Sequence, residues 1–179
     1  MRTYTLEVAG VTRELPVIQL APDLAIASFV ILGDCELVVK AAPLLVEKLP
    51  DVDLLVTAEA KGIPLVHEVA KLLGHRHYIV ARKSVKPYMN HPLTVTVRSI
   101  TTQKEQTLCL DEKDALAIRD KRVAIIDDVI STGESMNAVA ELVARAGGVV
   151  AARASILAEG DAAQNPDIIF LEELPLFYE

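Results

Sequence analysis

Short apolar runs alternate along this chain with stretches of helical period, and the alternation predicts a strand–helix order. Thr3 to Val8 alternates loosely and reads as a strand. Thr12 to Leu20 reads as a second, with Pro16 favouring an edge or irregular segment. The apolar run Ala25 to Leu32 is a third candidate. Gly33 and Asp34 then open a helix to about Leu49, interrupted or shifted near Pro43. Val52 to Thr57 is the first clear strand of a parallel sheet. Pro64 suits a first helical turn, and Leu65, Val66, Val69, Leu72 and Leu73 form that helix's apolar face up to Gly74. His77 to Ala81 is the next strand.

Leu93 to Val97 and Thr107 to Leu110 alternate as two antiparallel strands, joined by a polar, mobile arm. Asp111 to Ile118 reads as a helical turn or short helix. From Arg122 an apolar run forms a buried strand, ended by Asp127 and Asp128. After a polar loop, Met136 to Ala146 carries Ala138, Val139, Leu142, Val143 and Ala146 at helical spacing, closed by Gly147 and Gly148. Val149 to Leu157 is a strand broken by Arg153, with Glu159 and Gly160 after it. Ile168 to Leu171 is a late strand, and residues 172–177 form a tail that folds back over the sheet's carboxyl edge. The repeated order implies an α/β fold with a doubly wound, mostly parallel sheet. Residues 1–179 form one domain, to which 1–34 and 160–179 contribute a small hood. Ligands of such sheets bind beyond the carboxyl ends of the strands.

Composition narrows the classes. With 51% hydrophobic residues, 179 residues suffice for one domain with a sizeable core. A net charge of −7 argues against general nucleic-acid or anionic-membrane binding. The absence of Trp and an aromatic content of 4% argue against stacking platforms for single strands. The start of the chain has no signal-peptide core, and its most apolar region, Leu24 to Leu32, is too short to span a bilayer. Cys35 and Cys109 lack a metal spacing and read as reduced thiols of a cytoplasmic protein. His67, His75, His77 and His91 show no metal pattern and read as structural, and Asp111, Glu112 and Asp114 as a solvated acidic surface.

The chemistry concentrates between the Asp127–Asp128 strand and the helix that follows. Ser131, Thr132, Gly133 and Ser135 offer hydroxyls and backbone N–H groups where a helix start leaves amides without partners and its dipole positive. That is an anion site. Carboxylates there would repel a phosphate, so Asp127 and Asp128 need another task. They can accept hydrogen bonds from a sugar diol, or help to hold Mg2+ through water or the sugar. Neither a Walker A loop nor a Gly-x-Gly-x-x-Gly fingerprint is present.

This stretch closely resembles the phosphoribosyl pyrophosphate (PRPP) motif of the type I phosphoribosyltransferases: an apolar strand, two acids and a Thr-Gly loop. The resemblance implies that Asp127 and Asp128 take the ribose hydroxyls, that Ser131, Thr132, Gly133, Glu134 and Ser135 take the 5′-phosphate, and that Val129 and Ile130 between them belong to the substrate-binding stretch. Glu134 stands where the family often has a second Gly. Glu59-Ala60-Lys61-Gly62 is similar to the Glu-x-Arg-Gly loop of the adenine enzymes, which lies against pyrophosphate; Lys61 keeps the charge and loses the fork of the usual arginine. Arg82, Lys83 and Lys86, followed by Pro87, resemble that group's basic pyrophosphate-contacting segment. The arm around 99–106 occupies the place of the family's flexible catalytic loop, with Lys104 and Glu105 as candidates for a lid that excludes water.

The resemblance implies transfer of the 5-phosphoribosyl group of PRPP to a purine base, adenine first, giving a nucleoside monophosphate and pyrophosphate. It also implies Mg2+ held mainly by PRPP, with help from Asp127 and Asp128, and a homodimer. Residues 1–50 lack the adenine enzymes' Pro-x-Pro-Gly and Asp-Ile-Thr pattern. Xanthine or another base therefore stays open, as does a non-catalytic PRPP-binding regulator.

Overall fold

The computed structural model describes residues 2–98 and 105–178. Its centre is a parallel sheet of β4 (Leu54–Ala58), β5 (Ile79–Ala81), β8 (Arg122–Ile130), β9 (Val149–Glu159) and β10 (Ile168–Ile169). The order across the sheet is β5-β4-β8-β9-β10, with β11 (Glu172–Leu174) also pairing β9. Chain order reverses between β4 and β8, which opens a crevice at their carboxyl ends. The helices α1 (Cys35–Lys48) and α2 (Ile63–Leu72) cover one face, and α4 (Glu134–Arg145) covers the other. The arm, β6 (Leu93–Arg98) and β7 (Glu105–Leu110), is an antiparallel pair packed with α4. The doubly wound reading is borne out.

A second sheet forms the hood: β1 (Thr3–Val8), β2 (Val11–Ala21), β3 (Leu24–Ala27) and β12 (Leu176–Tyr178), in that order. Leu6, Val8, Val11 and Leu15 join the core that α1 and α2 form over the main sheet. Pro16 sits where β2 leaves one partner and takes another, pairing with Thr3 while Val17 pairs with Ala27. At that switch its carbonyl accepts from the Ser28 amide at 2.8 Å, and the N–H it lacks costs little.

Several boundaries differ from the sequence reading. The third strand stops at Ala27; Phe29 and Ile31 are buried from irregular backbone, so the apolar run reflected burial and not extension. Helix α1 runs unbroken through Pro43. Pro43 lies on the exposed face, as does Val39, whose carbonyl loses its partner to the ring, so water can satisfy that oxygen while Leu37, Val38, Ala41, Ala42 and Leu45 hold the buried face. Arg153 does not break β9; it donates to Asn137 Oδ1 of α4 at 2.9 Å. The late strand is only Ile168–Ile169, and the tail instead adds β11 beside the end of β9 and β12 to the hood.

The acids at 111–114 are not all solvated surface. Asp111 is buried, and its Oδ1 accepts from the amides of Asn90 and Glu112, each at 2.9 Å, capping α3 (Glu112–Ile118). Asp111→Ala is expected to cost about 1 kcal/mol of stability. A urea midpoint that falls at unchanged slope checks this, and an unmoved midpoint would show the cap to be dispensable.

Candidate functional site

The crevice between β4 and β8 holds a cleft of about 410 Å3. Its walls include Glu59, Ala60 and Lys61 from the loop after β4, Asp127 to Ile130 from the end of β8, and Ser131 to Ser135 from the turn into α4. Lys83 closes one side. These segments are separated by up to 76 positions along the chain, and parallel pairing of β4 with β5 and β8 brings their carboxyl ends to one edge. Ala58, Gln106 and Met136 also line the cleft, and pattern alone did not single them out. Gln106 had a signal, as a polar residue where the arm re-enters a strand.

The acids do not end β8. The strand continues to Ile130 because β9 pairs with it all along, Asp127 opposite Ser155 and Ile130 opposite Ala158. Asp128 is 2% exposed. Its Oδ2 has no hydrogen-bond partner among the described residues and lies 3.8 Å from the Lys61 Nζ. Asp127 Oδ1 accepts from the Asp128 amide at 2.8 Å. Burial, and then the neighbouring Asp128 charge, push the Asp127 carboxyl up to about 7. An acid pair held this way can take further donors, or a cation, from a ligand.

Gly62 explains the close approach of the 59–62 loop. A Cβ there would stand 2.2 Å from Thr57 Oγ1 and 3.2 Å from Asp127 Oδ1. The glycine is needed for space, since its φ of −73° suits any residue. The peptide between Glu59 and Ala60 is cis. Glu59 Oε2 accepts from the Lys83 amide at 2.9 Å and lies 3.2 Å from Arg82 Nε. The Lys83 amide first, and then Arg82, lower the Glu59 carboxyl below its ordinary range.

Arg82 stands back from the cleft wall. Its Nη1 donates to the Tyr88 hydroxyl at 2.7 Å, and its backbone exchanges hydrogen bonds with Cys109 of β7 at 2.9 and 2.8 Å. The Lys86 Nζ donates to Ser84 Oγ at 2.7 Å, also outside the wall. Glu105 opens β7, opposite Arg98 in register, and is not part of the wall. Lys104 lies outside the described residues.

Helix α4 starts at Glu134, earlier than the apolar period indicated, so Glu134 and Ser135 form its first turn. Gly133 caps it with φ +79°, a left-handed conformation that glycine adopts without penalty. The Glu134 amide donates to Thr132 Oγ1 at 3.4 Å. This turn lines a cleft whose other walls carry Lys61 and Lys83. Such an arrangement fits a ligand with anionic groups at both ends and hydroxyls between them.

The family model described as phosphoribosyl transferase domain matches residues 41–172. Among characterised sequences, the chain is 34% identical over 115 residues to an adenine phosphoribosyltransferase of Solidesulfovibrio magneticus, covering 63% of this chain and 64% of that protein. It is 32% identical over 111 residues to a hypoxanthine/guanine phosphoribosyltransferase of Methanocella paludicola, covering 62% and 54% respectively. The shared stretch thus spans between about half and two thirds of these curated relatives. In fold, the chain is similar to the crystal structure of adenine phosphoribosyltransferase from Thermoanaerobacter pseudethanolicus, with a TM-score of 0.70, 23% identity and coverage of 89% of this chain and 95% of that one.

Proposed function

The chain belongs to the phosphoribosyl transferase domain family, and from that premise we propose that it transfers the 5-phosphoribosyl group of PRPP to a purine base, adenine first, releasing pyrophosphate. The observation that carries this reading is the cleft itself. A helix-start loop, a buried acid pair and a lysine-bearing loop line one cleft, which supports a ligand carrying a phosphate, a diol and a diphosphate.

In this reading the amides and hydroxyls of Ser131 to Ser135 hold the 5′-phosphate. Asp127 and Asp128 accept from the ribose hydroxyls and fix the ring. Lys61, Lys83 and the amides of the 59–62 loop take the pyrophosphate, where negative charge grows as the bond at ribose C1 breaks. A ring nitrogen of the base forms the new bond at C1 and gives up its proton. Glu59 and Arg82 act by holding the lysine-bearing segments together. Glu105 stands on the arm of β6 and β7, which in this reading closes over the site and excludes water.

The orphaned Oδ2 of Asp128, with Asp127 beside it, offers hard oxygen ligands that suit Mg2+. Among the described residues no group of three or more His, Cys, Asp or Glu could hold a metal ion. In this reading Mg2+ would be held mainly by PRPP, with help from Asp127 and Asp128, and would neutralise the leaving diphosphate. The same reading includes a homodimer in the cytoplasm, in keeping with the free thiols Cys35 and Cys109. Among the described residues, no helix is long and apolar enough to cross a membrane.

The test is pyrophosphate release from PRPP with Mg2+, offered adenine, hypoxanthine, guanine, xanthine and orotate separately. Release with adenine, matched by formation of its nucleotide, is expected. Turnover with another base would reassign the substrate. Tight PRPP binding with no turnover would make the chain a PRPP-binding regulator.

A further inference from the structure

Lys61 and Asp128 serve different parts of the ligand in the reading above, yet in the protein they face each other. The Lys61 Nζ lies 3.8 Å from Asp128 Oδ2, close enough for attraction and too far for a hydrogen bond. The two partners sit in unlike surroundings. The Asp128 side chain is buried, and its Oδ2 has no hydrogen-bond partner among the described residues. The Lys61 side chain is half exposed. A buried carboxylate without a counter-charge is costly, so Lys61 is the charge that the protein itself gives to Asp128. The loop is shaped to bring it there. Gly62, the next residue, lies so close to β8 that a Cβ would stand 3.2 Å from the Ile126 carbonyl oxygen.

We infer that Lys61 is a displaceable counter-ion, which passes from Asp128 to the ligand's diphosphate and thereby couples the two ends of the cleft. The inference rests on the proposed PRPP reading, in which Asp128 accepts from the ribose hydroxyls and Lys61 takes the pyrophosphate. A lysine that turns to the diphosphate leaves Asp128, and the ribose hydroxyls take its place on the carboxylate. Either half of the ligand, arriving alone, must part this ion pair. Once it is parted, the other half binds without that cost, so the two halves bind with positive coupling. Lysine suits the exchange. Its stem is flexible and its head is a point charge, whereas the guanidinium fork of an arginine would grip the carboxylate through two hydrogen bonds.

Calorimetric titration of pyrophosphate with Mg2+ into the wild type, Asp128→Asn, Lys61→Met and the double variant tests this. Asp128→Asn releases Lys61, so it is expected to favour pyrophosphate binding about fivefold more when Lys61 is present than in the Lys61→Met background. Loss of the carboxylate's general field, and of its help to Mg2+, is common to both backgrounds and cancels in the cycle. A second measurement changes only the half-exposed lysine, and so serves if Asp128→Asn does not fold. Saturating pyrophosphate is expected to tighten ribose 5-phosphate binding about fivefold more in the wild type than in Lys61→Met. Equal effects of Asp128→Asn in the two backgrounds, or a coupling between the ligands that Lys61→Met leaves unchanged, overturns the inference. A wild type that binds neither ligand is a different failure, because it removes the PRPP reading itself.

Discussion

Asp127→Asn is expected to lower kcat/KM for phosphoribosyl transfer by about 100-fold or more, and to flatten the pH dependence of PRPP binding. The first effect follows from positioning: a ribose that loses one charged acceptor is held less exactly over the leaving group, and misplacement on that scale costs about two orders of magnitude. The second follows from the carboxyl's state. Burial and the neighbouring Asp128 charge raise its pKa to about 7, so protonation of the carboxyl grows as pH falls through neutrality. The ribose hydroxyls need the ionised form as acceptor. Wild-type affinity for PRPP with Mg2+ should therefore be about tenfold weaker at pH 6 than at pH 8, and Asn should remove that slope. Stability runs the other way. A carboxylate whose folded pKa is raised favours the folded state fully below its unfolded value, and that contribution is lost as pH rises through about 7. The ligand-free wild type should thus lose melting temperature between pH 5 and pH 8 relative to Asp127→Asn. Calorimetry and melting curves at both pH extremes check the pair of effects; a wild-type affinity that is flat with pH would place the Asp127 titration elsewhere.

Gly62→Ala is expected to be strongly damaging, although it adds only one methyl. The added Cβ would meet Thr57 Oγ1 at 2.2 Å, and Thr57 is fully buried. Neither backbone can yield freely, because β4 is paired on both sides and Gly62 leads directly into α2. Overpacking of this kind costs about 1–3 kcal/mol. The protein can lessen that cost by pushing the 59–62 loop outward, and then Lys61 leaves Asp128 and that side of the cleft opens. Either route should raise the KM for PRPP strongly or lower stability. The double variant Thr57→Ala with Gly62→Ala removes the obstructing oxygen and should recover most of the loss. Thr57 Oγ1 contributes only a 3.5 Å contact to the Ala58 carbonyl, so its own removal is mild by comparison. If the double variant is no better than Gly62→Ala alone, the clash with Thr57 is not the cause.

The parts of the site that were legible in the sequence share one property: they are local. A strand, two acids, a Thr-Gly turn and an amphipathic helix are contiguous between 122 and 146, and each piece carries its own physical signature. The 59–62 loop was legible for the same reason, as a polar, glycine-closed link between a strand and a proline-started helix. The basic segment was legible only as charge. That Lys83 faces the cleft while Arg82 is drawn to Glu59 and Tyr88 depends on partners 23 positions before and 6 after.

Glu159 was invisible as anything but the acid after a strand. Its burial comes from neighbours on both sides, β8 and β11, and no local pattern states which strands will flank another. The same limit applies to Pro43, Arg153 and Phe29. Propensity and polarity predicted a break, a break and an extension, and burial of the surrounding face decided otherwise in each case.

By itself, then, the amino-acid sequence determined the α/β class, the order of elements and the polar, helix-starting character of the 131–135 loop beside two acids, because periodicity, turn chemistry and helix starts act over a few residues. The tertiary structure alone decided the strand order, which sets β4 beside β8 and so joins two loops into one cleft. It also decided the burial that raises Asp127, the orphaned oxygen of Asp128 and the burial of Glu159 at the end of β9. Those are consequences of desolvation and of pairing between distant segments, and neither exists until the chain has folded.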